Sequence, residues 1–243
     1  MKSTEEIIKV IALPFYRFYT RVKCKIRGLR FVPPNYAFFE NFSSGSTGVD
    51  VGVGEYPDFT ILLIKDYSMK CYVIDPTLRH RPKLEKFVKE NSGVSFLPFA
   101  LGSKTESRTF YESQTNVSGS LQKEHINIQN DPVESYEVQV VTLGDLLRRI
   151  GNGQIGIMKI DIEGEEYDFI KSISKEDLEQ INQIIIEFHH GKTLKKYTMA
   201  DTRRVIKTIE SFGMKSIMYN EHQQDHACLF YWEGKPGARP SRI

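Results

Sequence analysis

Acidic and histidine side chains follow four apolar runs of the sequence, each where a buried strand is expected to end. The runs end in Asp50-Val-Gly52-Val-Gly54, in Asp75-Pro76, in Asp161-Ile-Glu163-Gly164 and in Glu187-Phe-His189-His190. Ligands of open α/β sheets bind at the carboxyl ends of the strands, so these strand ends are where a site is expected. Carboxylates and a histidine in such a cleft can bind a cationic ligand and accept protons.

The first strand end is a glycine turn preceded by an acid. Gly52 and Gly54 let the backbone turn tightly and approach a ligand closely. A dinucleotide-binding fingerprint would have a third glycine at position 57, where the sequence has Pro57. The Asp50 carboxylate would repel a pyrophosphate, but it would suit S-adenosylmethionine, which carries a sulfonium and an ammonium. An ordinary glycine turn between strand and helix is the other interpretation of this pattern.

Asp75 ends the second predicted strand, near the distance downstream at which ribose-binding acids occur in nucleotide-binding folds. A carboxylate there can accept hydrogen bonds from both ribose hydroxyls. An Asp-Pro pair is also a common way to end a strand, so Asp75-Pro76 alone has a structural explanation. Two acids that each end a strand together favour a nucleoside-containing ligand.

The segments that would position these residues alternate between buried strands and amphipathic helices. Strands are predicted at 47–54, 70–76, 94–102, 155–161 and 181–190, and helices at 57–67, 79–93, 142–151 and 199–213. Residues 214–220 and 226–232 are typical of a terminal antiparallel pair. This alternation predicts parallel βαβ units in one doubly wound α/β domain.

Residues 103–141 interrupt the alternation with two strand-like segments around a long polar loop. Loops of this length inside compact domains are usually lids, binding loops or disordered segments. We expect Asn116, Ser118, Ser120 and His125 to belong to a lid over the acceptor, with disorder as the alternative.

Composition narrows the functional classes. The chain has 243 residues with 33 basic and 31 acidic side chains, so its charge does not indicate a nucleic-acid partner. Cys24, Cys71 and Cys228 lie far apart without a C-x-x-C pair, so neither a disulfide framework nor a zinc knuckle is indicated, and a reduced, cytosolic setting is predicted. No apolar run is long enough to span a bilayer. The sequence carries no indication of an oligomeric state.

The N-terminal residues are strongly basic. The first thirty residues contain eight lysines and arginines against only Glu5 and Glu6. The segment at 7–20 is expected either to lie as an amphipathic helix on the anionic inner face of a membrane or to pack on the domain core.

Several blocks of the sequence together resemble the FkbM family of class I methyltransferases. They are VDVGVGEYPDFT, VIDP, FALGS, VQVVTLGDLL and IMKIDIEGEEYDFIKSI followed by IIIEFH, in the family's order over residues 46–190. The combination of VVTLGDLL with MKIDIEGEE is the most specific part. The chain departs from the family pattern at the first turn, which is usually closer to G-A-N-x-G. It also departs at Asp75, where Glu is commoner, and at Gly144, where Asp is usual.

The resemblance implies a Rossmann-like, mostly parallel seven-stranded sheet whose last strand is antiparallel. It also implies S-adenosylmethionine as methyl donor and an oxygen acceptor, frequently a sugar or glycan hydroxyl. By the same resemblance, the cofactor would be bound at three strand ends. The methionine part would lie on Asp50, Gly52 and Gly54, the ribose on Asp75 with Pro76, and the adenine near Ala100 and Leu101.

The expected domain organisation has three parts. Residues 1–45 would form a basic helical segment packed on the domain, residues 46–233 the methyltransferase domain, and residues 234–243 a flexible tail. The tail is basic and rich in glycine and proline, which is typical of a frayed terminus.

A hydroxyl acceptor is a poor nucleophile, so a general base would help the reaction. His189 is a candidate because its ordinary pKa lies near neutrality and it ends a strand, although a histidine bonded to a carboxylate or a carbonyl is the alternative. Asp161 and Glu163 are the other candidates, on one face of an extended strand end. His190 is expected to point to the opposite face.

The remaining acids have other expected roles. Glu187 beside Asp161 would suit Mg²⁺ if their strands pair, but no metal ligand is predicted. Glu165, Glu166 and Asp168 are expected at a helix start, where the helix dipole favours negative charge, as structural or solvated residues. A nicotinamide-dependent oxidoreductase and a non-catalytic binding module stay open as alternative functions, and Pro57 and Asp50 argue against the first.

Overall fold

A computed structural model describes residues 16–33, 35–151, 153–221 and 225–235 of the chain. The predictions for residues 7–15 of the basic segment and for residues 236–243 of the tail lie outside these ranges. The expected domain boundary at residue 45 stays a prediction.

Seven strands form the central sheet in the order β12-β13-β11-β10-β3-β4-β5. They are β3 (Thr47–Val51), β4 (Lys70–Ile74), β5 (Val94–Leu97), β10 (Ile155–Ile160), β11 (Ile181–His189), β12 (Lys215–Glu221) and β13 (Asp225–Tyr231). Strand β13 runs antiparallel to both of its neighbours, and the other neighbouring strands are parallel. The predicted fold class, including the antiparallel last strand, is confirmed.

Helices cover both faces of this sheet, as a doubly wound fold requires. One face carries residues 16–26 (α1), α2 (Asp58–Tyr67) and α3 (Arg81–Glu90); the other carries α5 (Leu143–Ile150), α6 (Glu166–Phe169), α7 (Lys175–Glu179) and α8 (Met199–Ser211). Leu63 and Leu84 belong to the core under the first face, and Leu146 and Ile209 to the core under the second. The central strands are therefore buried on both sides, which is why they consist of almost unbroken apolar runs.

Helix α5 shows how the local sequence sets the limits of an element. The Thr142 hydroxyl accepts a hydrogen bond from the Asp145 N–H at 3.1 Å, and Gly151 ends the helix with a φ of 91°. A threonine cap satisfies one of the free N–H groups of the first turn, and glycine adopts positive φ without strain. The predicted start and end of this helix are confirmed.

A second, four-stranded sheet has the order β6-β9-β7-β8. Its strands are β6 (Ala100–Leu101), β7 (Glu106–Ser113), β8 (Gly119–Ser120) and β9 (Val133–Val141). The prediction of one strand over 94–102 is wrong, because Pro98 lacks an N–H for the ladder and the chain leaves the central sheet there. Residues after Pro98 pair with β9 instead. The long loop folds against this sheet and includes a single helical turn, α4 (Ile126–Gln129).

The N-terminal hairpin of β1 (Arg30–Val32) and β2 (Tyr36–Phe38) packs beside α1. Gln183 in β11 holds the chain after the hairpin, because its side-chain amide bonds both the N–H and the carbonyl of Phe39, at 2.8 and 2.9 Å. All three cysteines are buried and unpaired. Within the described ranges, no helix combines the length and the apolar character needed to cross a membrane.

Candidate active site

A cavity that opens to solvent lies at the carboxyl ends of β3 and β4. Six of the residues predicted to bind the cofactor line it: Gly52, Gly54, Asp75, Pro76, Ala100 and Leu101. Asp161 and Glu163 line it as well, so the cavity reaches the predicted catalytic residues.

The glycine turn forms part of this wall. Gly52 has a φ of 72°, and a Cβ added there would lie 1.6 Å from the carbonyl oxygen of Asp161. Gly54 has a φ of 68°, but a Cβ there would meet no atom within 4 Å and would project into open space. Gly52 therefore allows two strand ends to approach each other, whereas Gly54 keeps space free in the wall.

Asp75 is held rigidly at the cavity wall. Its carboxylate accepts hydrogen bonds from the N–H of Gly54 at 2.8 Å and from the N–H of Thr77 at 2.9 Å. Each carboxylate oxygen has a second lone pair, so the group can still accept bonds from a diol. The side chain is buried, and its charge is therefore weakly screened.

His80 is a cavity residue that the sequence analysis missed. It directly precedes α3 without a side-chain capping bond, and neither of its buried ring nitrogens has a hydrogen-bond partner within the described structure. Its Nδ1 lies 3.6 Å from an Asp75 oxygen, and the ring lines the cavity. A buried polar group without a partner is costly, so His80 is suited to meet a polar ligand here. The only feature of the sequence that could have identified His80 is its position five residues after Asp75, the acid that ends the second strand.

Asp50 does not line the cavity. Its carboxylate is buried behind the turn, where it accepts a hydrogen bond from the Thr60 hydroxyl at 2.9 Å and faces the Lys159 ammonium at 3.6 Å. Lys159, which the sequence analysis also missed, donates to the Gly52 carbonyl at 2.9 Å and lies 3.3 Å from Asp161. Asp50 therefore supports the turn from behind, through a buried lysine that sits inside the apolar run of β10.

Lys159 is charged despite its burial. Burial alone would lower its pKa, but the carboxylates of Asp161 and Asp50 outweigh that effect and hold the pKa above its ordinary value. A buried ammonium between two acids neutralises charge that the strand ends would otherwise concentrate.

A second, polar pocket adjoins the cavity. It is lined by Ile126, Asn127, Asp161, Glu163, Glu187, His189, Lys192 and Thr193. Asp161 and Glu163 line both spaces, so they stand at the junction between them. This junction is where a donor in the cavity and an acceptor in the pocket would meet.

The structure brings the three predicted catalytic residues together at this junction. His189 Nε2 lies 3.7 Å from an Asp161 oxygen and 3.6 Å from a Glu163 oxygen. The prediction of an extended strand end for Asp161 and Glu163 is wrong, because β10 ends at Ile160 and Glu163 has a φ of 51°. A non-glycine residue at positive φ is uncommon and is found at constrained functional sites.

Glu166 holds the other side of the His189 ring. Its Oε1 lies 2.9 Å from His189 Nδ1 and accepts the N–H groups of Ile162 and Gly164, each at 3.2 Å. Glu166 does begin α6, but of its two expected roles, structural or solvated, the solvated one is wrong because the residue is fully buried. A carboxylate on Nδ1 fixes that atom as the protonated nitrogen and directs Nε2 towards the pocket.

Glu165 is also buried, with a different role. Its carboxylate accepts hydrogen bonds from Arg108 at 2.5 Å and from the Gln122 amide at 2.6 Å. These bonds join the turn after β10 to the small sheet and to the polar loop. Asp168 is part-exposed and pairs with Lys171, as expected for a helix-start acid.

The charged groups of the cluster shift one another's pKa values. Burial disfavours the His189 imidazolium, but Glu166 and Glu163 outweigh burial and hold the pKa of His189 well above its ordinary value. Burial also opposes ionisation of Glu163, yet His189 and His125 lower its pKa to about 2. Burial raises the pKa of Asp161, although Lys159 and His189 act in the opposite direction.

His190 lies on the opposite side of the strand. It is buried, 3.0 Å from the Thr202 hydroxyl and 3.3 Å from the Tyr167 hydroxyl, and its ring stacks on His226. These contacts belong to the core and place His190 apart from the junction, as the strand alternation predicts.

The polar loop covers the junction. The Ser120 hydroxyl donates to the Glu163 carbonyl at 2.6 Å, and Ser118 Oγ lies 3.3 Å from its carboxylate. The Asn116 side chain accepts the Ser118 N–H at 2.7 Å, and His125 Nε2 lies 3.0 Å from a Glu163 oxygen. Three residues of the predicted lid, Ser118, Ser120 and His125, therefore contact Glu163, and Asn116 supports Ser118. Movement of the loop stays a prediction.

His125, Glu163 and His189 have the donor types of a metal site, with three donor atoms within 4.8 Å of one another. A metal-bound histidine normally donates its other ring N–H to a partner. His189 meets this condition through Glu166, but His125 Nδ1 accepts the Asn127 N–H at 3.4 Å. That bond favours the tautomer with the proton on Nε2, the atom that would have to bind the metal, so the set is poorly suited to a resident cation. The absence of a metal ligand stays a prediction.

Comparison with known proteins decides the family. The sequence profile of the family described as "Methyltransferase FkbM domain" matches residues 18–215. The chain belongs to the FkbM methyltransferase family. It is an S-adenosylmethionine-dependent methyltransferase, which replaces the alternatives of a nicotinamide oxidoreductase and a non-catalytic module. No curated protein matches the chain in sequence.

Solved structures are similar to this FkbM-family chain only at low identity. A fibrillarin of Aeropyrum pernix with natively bound S-adenosyl-L-methionine is 10% identical, with 89% of this chain and 76% of that chain covered and a TM-score of 0.47. A human methyltransferase 10 domain containing protein is 11% identical, with 89% and 81% covered and a TM-score of 0.46. A fibrillarin pre-rRNA processing protein of Methanococcus jannaschii is 10% identical, with 87% and 74% covered and a TM-score of 0.47.

The cavity of the FkbM-family enzyme fits S-adenosylmethionine. A buried carboxylate for a ribose diol, an unpartnered buried histidine and a glycine turn with free space all face it. The junction acids at its other end supply negative charge, which suits a cationic methionine part.

Replacing Asp75 with asparagine is expected to weaken S-adenosylhomocysteine binding about ten- to hundred-fold, because hydrogen bonds to a charged group each contribute about 1.5–3 kcal/mol. Isothermal titration calorimetry measures this change. Asp66→Asn is the control, because Asp66 forms a surface ion pair with Arg30 away from the cavity and should leave the Kd unchanged. Equal Kd values for Asp75→Asn and the unmodified enzyme would remove Asp75 from the cofactor site.

Proposed function

We propose that this FkbM-family enzyme methylates a hydroxyl of a sugar or glycan, with His189 as general base. The proposal rests on the orientation of the His189 ring. Glu166 contacts its Nδ1 atom, and its Nε2 atom faces the polar pocket beside the cofactor cavity. When bound, S-adenosylmethionine supplies an electrophilic methyl group. The protein's own residues bind the acceptor, orient its oxygen and remove its proton.

The acceptor class is inferred from the pocket lining. Carboxylates, an amide, a hydroxyl and a lysine surround the space, and the only aliphatic side chain among the lining residues is Ile126. Such a surface pairs well with several hydroxyl groups and poorly with an apolar acceptor. Glu163, with a pKa of about 2, stays ionised and can accept hydrogen bonds from an acceptor over the whole working range of pH.

The base acts in its neutral form. Neutral His189 donates its Nδ1–H to Glu166 and presents the Nε2 lone pair to the acceptor hydroxyl. As the oxygen attacks the methyl carbon, the hydroxyl proton passes to Nε2, the new C–O bond forms and the C–S bond breaks. Glu166 and Glu163 stabilise the imidazolium that results, since they lie 2.9 and 3.6 Å from its nitrogens.

The acceptor can be tested by transfer of label from methyl-labelled S-adenosylmethionine to separated extracts of glycans, lipids, small metabolites, proteins and nucleic acids. We expect label in the glycan or sugar fraction, and its loss after periodate cleavage or glycosidase digestion would locate it on the sugar. Label confined to protein or nucleic acid would overturn the sugar proposal while leaving methyl transfer intact.

Replacing Glu166 with glutamine is expected to lower the pKa of His189 by about one unit or more, because a carboxylate in contact is removed. His189 must lose its proton to act as base, so the rate should rise with pH through the His189 pKa, above 6.5 in the unmodified enzyme. In the variant this rise should move to lower pH. An NMR titration of the His189 ring measures the same shift without an acceptor, with His189→Asn to assign the signal.

Glu165→Gln is the matched control for this experiment. Glu165 is the adjacent buried acid, but it bonds Arg108 and Gln122 and makes no contact with His189 among the described interactions. The Glu165→Gln substitution should leave the pKa of His189 unchanged. If the methyl-transfer rate of the unmodified enzyme instead rose with pH only at acidic pH, the role of general base would be assigned to Asp161.

A further inference from the structure

Helix α1 carries an exposed apolar stripe on the side opposite its packed face. Phe18, Val22 and Ile26 are spaced four residues apart, so they lie along one face, and Tyr19 is beside them. Phe18, Tyr19 and Ile26 are 68%, 62% and 78% exposed. Thr20 and Cys24, on the other face, are buried against the domain. The helix is therefore anchored on one side and apolar on its solvent side.

Cations border this stripe on both flanks. Arg17, Arg21 and Lys25 lie along one flank and Lys23 and Arg27 along the other, all within residues 17–27. The sequence has no acidic residue between Glu6 and Glu40. Within the described ranges, no carboxylate lies within ion-pair distance of Arg17, Arg21, Lys25 or Arg27. These four cations are therefore unpaired by acids of the part of the chain that the structure describes.

We propose that α1 is an interfacial helix that binds the enzyme to an anionic phospholipid surface. Exposed aromatic and aliphatic side chains between two rows of cations match the acyl boundary and the headgroup layer of such a membrane. A protein partner with an acidic rim is the competing occupant. The lipid is favoured because the stripe lies on one convex helix surface, ends in aromatic side chains and carries cations on both flanks.

The same helix is connected to the wall of the acceptor pocket. The Tyr16 hydroxyl donates to the Asn220 side chain at 2.7 Å, and the Asn220 amide donates to the Asn35 side chain at 3.1 Å. The Asn35 amide in turn donates to Glu187, a lining residue of the pocket, at 3.4 Å. A membrane-bound α1 would hold the pocket close to the lipid surface. The membrane proposal does not depend on the identity of the acceptor.

The test is co-sedimentation of the full chain with vesicles of phosphatidylcholine, with and without phosphatidylglycerol. We expect binding to the anionic vesicles that weakens at high salt, and much weaker binding to neutral vesicles. Phe18→Ser combined with Ile26→Ser should weaken binding about ten-fold or more, because two exposed side chains no longer enter the lipid. Arg21→Glu combined with Lys25→Glu should do the same through charge.

Val133→Ser is the matched control, because Val133 is an exposed apolar residue on the small sheet, far along the chain from α1. It should leave vesicle binding unchanged. Every variant should keep its thermal shift with S-adenosylhomocysteine, which separates loss of lipid binding from loss of folding. Three results would each overturn the proposal. They are unchanged vesicle binding of the Phe18 and Ile26 variant, equal binding of the enzyme to neutral and anionic vesicles, and a dimer in solution that becomes monomeric in this variant.

Discussion

Replacing His189 with asparagine is expected to lower kcat by about 10²- to 10⁴-fold, the usual contribution of a general base. Asparagine keeps a polar group of similar shape but cannot accept the hydroxyl proton. S-adenosylhomocysteine affinity should stay unchanged, because His189 lines the acceptor pocket and not the cofactor cavity. Single-turnover methyl transfer and calorimetry measure the two effects separately.

His190→Asn is the natural control for this substitution. The two histidines are adjacent and both buried, but His190 contacts Thr202, Tyr167 and His226 in the core. Its replacement should lower the free energy of unfolding by about 1–3 kcal/mol, through unpaired buried groups, and leave kcat within a few-fold. Nearly full activity of His189→Asn would place the base elsewhere, with Asp161 as the next candidate.

Replacing Gly52 with alanine is expected to cost more than about 4 kcal/mol of stability, in the range reserved for severe steric conflicts. The added Cβ would lie 1.6 Å from the Asp161 carbonyl oxygen, which is backbone and cannot turn aside. The φ of 72° adds strain for any residue with a side chain. The clash lies between the ends of β3 and β10, so it should push these two strand ends apart. We therefore expect a large fall in Tm in thermal unfolding, accompanied by loss of cofactor binding.

Substitutions at two other glycines distinguish the steric clash from the strain of positive φ as the cause of the lost stability. Gly54→Ala has nearly the same φ but no clash, so we expect about 1–2 kcal/mol of destabilisation and weaker S-adenosylhomocysteine binding in a folded protein. Gly153→Ala has neither positive φ nor close neighbours and should change nothing measurable. If Gly52→Ala were as stable as Gly54→Ala, the close approach of the two strand ends would be contradicted.

The secondary structure was largely predictable because the buried strands are continuous apolar runs and the helices carry their own caps. Thr142 and Gly151 set the ends of α5 by local hydrogen bonding and backbone freedom, which are properties of neighbouring residues. The strand at 94–102 was predicted wrongly because its composition stays apolar across Pro98. Only the missing N–H at that residue, and a partner strand forty residues away, decide that the chain changes sheets.

The acidic cluster was harder to interpret because neighbours in sequence have unrelated roles in space. Glu165 joins the small sheet through Arg108, Glu166 orients His189, and Asp168 pairs with a lysine near the surface. A helix-start position accounts equally well for all three. Glu166 is distinguished by its contact with a strand that follows more than twenty residues later, and Glu165 by its contact with a strand that lies more than fifty residues earlier.

The sequence by itself determined the family, the cofactor and the strand ends at which the site lies, because those depend on short motifs and local periodicity. The tertiary structure decided that Asp50 acts from behind the turn through Lys159, that His80 faces the cofactor cavity and that Glu166 holds His189. Each of these three arrangements depends on the register of paired strands or on a turn that packs against a distant strand. The spacing of nearby residues encodes neither the register nor that packing.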